Sequence, residues 1–108
     1  MGMNESEFLA AAERTLAAIE SAVEACDADV ETTRAGNVLT LELADGSRIV
    51  VNSQTPMRQM WVAAKSGGYH YEWRDGAWRD TRDGSELFAA LSRVLSAQGD
   101  VAVLLRAG

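Results

Sequence analysis

Four carboxylates, Glu13, Glu20, Glu24 and Asp27, follow one another at separations of 7, 4 and 3 residues. On a helix, at ~100° per residue, they lie within roughly 60° of one another and form a ridge. Asp29 and Glu31 carry the acidic run past the helix end. Carboxylate oxygens are hard ligands suited to Mg²⁺, Ca²⁺, Mn²⁺ and iron. The same ridge suits a basic protein surface, with fast, salt-sensitive association. The two uses are compatible. A solvated helix face is the plainer reading, but the arrangement has a cost. Like charges at i, i+4 oppose each other by a few tenths of a kcal/mol. Acids in a last turn oppose the helix dipole by ~0.3–1 kcal/mol at low salt. Glu24 and Asp27 meet both penalties, and Arg14 is the only base of the segment.

Other reactive types are sparse. His70 is the lone histidine and has no neighbouring nucleophile in sequence, so it reads as a surface-strand residue. Cys26, the lone cysteine, falls on the apolar stripe of the first helix and reads as a small hydrophobe. No Cys/His spacing suggests zinc, the acids do not fit an EF-hand loop, and no glycine-rich phosphate loop is present. Nothing here indicates an enzyme.

The elements that must hold the ridge follow from periodicity. Phe8, Ala12, Leu16, Ile19, Val23 and Cys26 mark a buried helical face about a quarter turn from the acids. Asn4 and Glu7 fit a capping box, so the helix is predicted from about Glu5 to Cys26. The period then changes to two. DVETTR (29–34) is a polar strand. VLTLEL (38–43) places Leu39, Leu41 and Leu43 on one side, and RIVVN (48–52) places Ile49 and Val51 there. QMWVAA (59–64) turns at KSGG into YHYEWR (69–74), and AWRD (77–80) closes the series. Gly36-Asn37, Asp45-Gly46 and Asp75-Gly76 are hairpin signals. SELFAALSRVLSAQ (85–98) is a second amphipathic helix, and the apolar tail VAVLLR (101–106) should pack against the helices. The fold class expected is α+β: a two-layer sandwich, with N- and C-terminal helices on one face of a five- to six-stranded antiparallel sheet.

Alternation sends Met60, Val62 and Ala64 toward the helices and leaves Gln59, Trp61 and Ala63 on the open face, near Asn52 and Arg48. An exposed tryptophan among amides has the composition of a binding hot spot. Tyr69, Tyr71 and Trp73 are expected in the core, with His70, Glu72 and Arg74 outside. A slip of one residue would exchange the faces.

The chain, 108 residues with net charge −6, reads as one domain, residues 1–108. The negative balance argues against nucleic acid. It belongs almost wholly to residues 1–31, which hold eight acids and one base. A single cysteine fits a reducing compartment. MGMNESEF lacks the basic start and apolar run of a secretory signal, and no apolar stretch reaches membrane-spanning length. A soluble, cytoplasmic protein is expected.

MNESEF at the start, LADGSRIVVNSQTPMRQMWVAAKSGGYHYEW in the middle and DGSELFAALSRVL near the end resemble the bacterial frataxin family from about Met3 onward. The middle stretch carries the N-x-Q-x-P-x-x-Q-x-W core at Asn52, Gln54, Pro56, Gln59 and Trp61. The resemblance implies weak binding of ferrous and ferric iron, no organic cofactor, and a part in iron–sulfur cluster assembly. It implies docking on a cysteine desulfurase and work alongside the scaffold protein, by a monomer open to iron-dependent oligomers. Carried over by position, it places metal binding at Glu7, Glu13, Glu20, Glu24, Asp27, Asp29 and Glu31. Partner contacts fall at Glu20, Glu24 and Asp27, and on the sheet at Asn52, Gln54, Gln59, Trp61 and His70. This chain departs from the family pattern in ESAVEACDADVE, where Ser21, Ala22, Ala25 and Ala28 thin out the acids, and in Thr33 and Arg34, which dilute the first strand. An acidic interaction domain with incidental metal binding is the alternative.

Overall fold

The computed structural model describes residues 3–26, 29–99 and 105. Helix α1 spans Glu5–Ala25. Its start is the expected capping box: the Glu7 backbone N–H donates to Asn4 Oδ1 at 2.8 Å, and the Asn4 N–H donates to Glu7 Oε1 at 3.0 Å. Phe8, Ala12, Leu16, Ile19 and Val23 are buried, as the spacing requires, with Ala11 and Thr15 beside them. Cys26 departs from expectation. It is the C-cap in extended backbone, only half-buried, and its Sγ donates to the Val23 carbonyl at 3.0 Å. The helix stops one residue short of completing the stripe.

Six strands follow: β1 Val30–Ala35, β2 Val38–Leu43, β3 Arg48–Gln54, β4 Gln59–Ala64, β5 Gly67–Arg74 and β6 Ala77–Asp80. Each pairs antiparallel with its neighbour in sequence, in the order β1-β2-β3-β4-β5-β6. A short 3₁₀ turn, Thr55–Met57, carries the proline between β3 and β4. The β4–β5 connection is tighter than KSGG suggested. Ala64 pairs with Gly67, so Lys65 and Ser66 alone form the turn and both glycines belong to β5. At the β5–β6 turn, Asp75 and Gly76 both take positive φ, 53° and 78°, as a type I′ turn demands.

Leu39, Leu41 and Leu43 of β2, Ile49 and Val51 of β3, Met60 and Val62 of β4, and Tyr71 of β5 are buried on the helix side. The aromatic assignment needs one correction. Trp73 has the right facing but is 40% exposed, because it lies next to the end of β5, where α1 leaves an open cavity of about 490 Å³ lined by Met3, Glu7, Ala10, Arg14 and Trp73. Tyr69 is half-buried against the core edge. The tryptophan that enters the core is Trp78 of β6. Its indole N–H donates to Thr15 Oγ1 at 2.8 Å, and the Thr15 hydroxyl donates to the Ala11 carbonyl at 2.7 Å. Phe8 meets its ring edge-on at 5.9 Å and Trp73 does so at 5.2 Å.

Helix α2, Leu87–Gly99, starts two residues later than the sequence suggested. The Glu86 carboxylate accepts from the Phe88 and Ala89 backbone N–H groups and so satisfies its first turn. Most of the tail 101–106 lies outside the described residues. Leu105 is buried, and its N–H donates to Ser92 Oγ of α2 at 2.8 Å. Among the described residues no helix is long and apolar enough to cross a membrane.

Candidate functional site

The acidic edge is built where α1 crosses the helix-facing side of β1. Along that strand Val30, Thr32 and Arg34 are half-buried, and Glu31, Thr33 and Ala35 are exposed. Thr32 and Arg34 therefore reach up to the helix. Arg34 forks onto Glu13, with Nη2 to Oε1 at 2.6 Å and Nη1 to Oε2 at 3.1 Å. That hydrogen bonding holds the Glu13 carboxyl below its usual range and raises Arg34. The Thr32 hydroxyl reaches Glu24 Oε2 at 3.3 Å.

The expected ridge is thus partly redistributed. Glu13 and Glu24 are exposed and Glu20 is half-exposed along one side of α1. Asp29 is exposed just ahead of β1, and Asp27 lies outside the described residues. Glu31 alternates to the other side of the sheet, where it pairs with Glu42, which pairs in turn with Arg48. Glu7 sits at the far end of the helix and is engaged in the capping box. The last turn of α1 contains no basic residue. Among the described residues, no three His, Cys, Asp or Glu side chains converge as a ready-made metal cage.

The open sheet face forms a second candidate surface. Register sets Asn52, Trp61 and His70 side by side across β3, β4 and β5, with Gln54, Gln59 and Glu72 in the adjacent row. Trp61 and His70 stack with centroids 4.3 Å apart and planes 10° from parallel. The indole N–H donates to Gln59 Oε1 at 2.8 Å, and Gln54 Nε2 donates to Asn52 Oδ1 at 3.2 Å. The facing matches expectation, but Trp61 is half-buried rather than fully exposed, because His70 covers one side of its ring. The stack was legible in principle: once 59–64 and 69–74 are paired through a two-residue turn, positions 61 and 70 must face each other. The role of Arg34 was harder to see, since β1 is polar on both sides and alternation alone does not say which side meets α1.

A two-layer α+β sandwich of this connectivity, with an acidic first helix lying along an edge strand, is the frataxin type of fold. A family model described as a frataxin-like domain matches residues 1–101. The chain belongs to the frataxin family. It is 55% identical over 107 residues to the "Iron-sulfur cluster assembly protein CyaY" of Ralstonia nicotianae, covering 95% of each chain. It is 54% identical over 108 residues to the protein of that name from Cupriavidus metallidurans, covering 96% of this chain and 97% of the other. Among solved structures it resembles the frataxin of Psychromonas ingrahamii, with a TM-score of 0.88, 35% identity and coverage of 94% and 97%. It also resembles a trimeric frataxin from Saccharomyces cerevisiae described as complexed with ferrous, with a TM-score of 0.63, 25% identity and coverage of 95% and 88%.

Proposed function

We propose that this protein takes part in iron–sulfur cluster assembly as a non-catalytic, iron-binding regulator. It docks through its acidic edge on the basic surface of a cysteine desulfurase and carries iron weakly on the same edge. The relatives' shared name supports the assembly role. The single observation that carries the site is the run of outward carboxylates Glu20, Glu24 and Asp29 at an α1 end with no base to neutralise it.

Those donors fit iron as cargo, being hard oxygens that suit its ions. Exposed carboxylates keep their ions largely hydrated, so weak and exchangeable binding is the expected result. The ridge also supplies a field that steers a basic partner, with an on-rate that falls as salt rises. The open face of Asn52, Gln54, Gln59, Trp61 and His70 is assigned to the scaffold protein. Its stacked aromatic pair and satisfied amides offer a rigid, low-entropy contact.

Anaerobic Fe²⁺ titration followed by amide NMR tests the iron half. Shifts should centre on residues 20–31, and silence there at millimolar iron refutes it. Charge reversal at Glu20, Glu24 and Asp27 tests docking: desulfurase binding that survives unchanged removes the ridge as the interface. The Arg34–Glu13 pair favours a second reading, an acidic interaction domain with incidental metal binding, because it already neutralises one ridge carboxylate. Loss of desulfurase binding with no iron shifts would select that reading.

A further inference from the structure

Arg34 is fully committed. Its Nε donates to the Gly36 carbonyl at 3.0 Å, and its two terminal nitrogens grip both oxygens of Glu13. This planar, bidentate geometry is the one an arginine from a docking partner would adopt on a carboxylate. Two residues earlier on the same side of β1, Thr32 gives Glu24 only a neutral hydroxyl, at 3.3 Å. One side of one strand thus presents a cation to the N-terminal half of the ridge and an uncharged group to the C-terminal half.

We propose that Arg34 is an intramolecular counter-ion that competes with external cations and with a partner's basic side chains for Glu13. It confines the open site to Glu20, Glu24 and Asp29 and sets how tightly the edge binds. The inference rests on the reading of this edge as a cation- and partner-binding surface. It assigns a tuning role to a residue that touches neither iron nor partner.

The test uses Mn²⁺ alone as a paramagnetic probe, with binding read from the broadening of backbone amides. Replacing Arg34 by alanine, or by glutamine should the alanine variant fold poorly, should tighten Mn²⁺ binding about two- to fivefold, the range an exposed ion pair commands. Broadening should then extend toward residue 13. Arg93→Ala makes the same change in net charge from an exposed position on α2 and should leave affinity close to wild type. The two sites should also couple. Glu13→Gln should change little while Arg34 is present, and should abolish the gain in the Arg34→Ala background. If Arg34→Ala binds no better than Arg93→Ala, the inference is overturned while the ridge reading stands. If Mn²⁺ broadens no ridge amide in any of these proteins, both are overturned together.

Discussion

Replacing Thr15 by valine isolates the one polar side-chain contact buried between α1 and the sheet among the described residues. Thr15 is 8% exposed and Trp78 3%, so the contact is largely shielded from bulk solvent. Valine keeps the shape and the β-branch and ranks beside threonine in helix propensity. The Ala11 carbonyl loses only a second donor. The Trp78 N–H, 2.8 Å from its acceptor, loses its partner outright. A buried donor left unpaired costs ~1–3 kcal/mol, and the added methyl recovers up to about 0.8 kcal/mol. A net loss of roughly 1–2 kcal/mol follows, or roughly 5–10 °C in Tm for a domain of this size. Urea unfolding monitored by tryptophan fluorescence measures it, with the m-value unchanged if only stability moves. Phenylalanine at position 78 supplies the control, because it has no N–H to strand. In a Trp78→Phe background the Thr15→Val change should cost almost nothing, giving a coupling of about 1 kcal/mol in the double-mutant cycle. Equal losses in both backgrounds would refute the reasoning and assign the effect to packing alone.

The Asp45 carboxyl is depressed from 3.8 to about 2, first by the Ser47 hydroxyl and backbone N–H and then by Lys65. Its contribution to stability is therefore complete above its ordinary value and is lost as pH falls toward about 2. A carbon-detected titration should place its midpoint there, Ser47→Ala should move it up, and a midpoint near 3.8 in both proteins would count against the turn geometry. Gly76→Ala meets no steric neighbour but forces alanine into φ 78°, so a loss of roughly 1 kcal/mol should appear in chemical denaturation, while Asp75→Gly should be neutral or better. Trp61→Leu should move the His70 ring protons downfield in NMR by removing the stacked indole, and unmoved resonances would mean the stack does not persist in solution.

Legibility varied with how strongly each segment was patterned. The capping box and the 3–4 stripe made α1 readable almost to the residue, and the leucine alternation did the same for β2. Trp73 and Trp78 were not separable by pattern. They are cross-strand partners on the same side of the sheet, and only the extent of the helical layer decides that one is covered and the other open. The two-residue β4–β5 turn was obscured because Gly67 and Gly68 look like turn residues. Gly67 does use its freedom, at φ 139°, but inside the strand. At the edge of α1 the acids were visible from spacing, whereas the removal of Glu31 from the ridge and the neutralisation of Glu13 both depend on which side of β1 faces the helix. A strand polar on both sides carries no such signal.

Because every strand pairs with its neighbour along the chain, the sheet can zip from hairpin to hairpin with short loops to close. The costly closure is the return of the last strand to the first helix, where Trp78 meets Thr15 across 63 residues. Non-local contacts of this kind slow folding, since the chain loses its entropy before they reward it. The folding barrier should therefore lie in docking α1 onto β6. Substitutions at Phe8, Thr15 or Trp78 should slow the refolding limb of a chevron plot, whereas changes in the Lys65-Ser66 turn should leave that limb almost untouched.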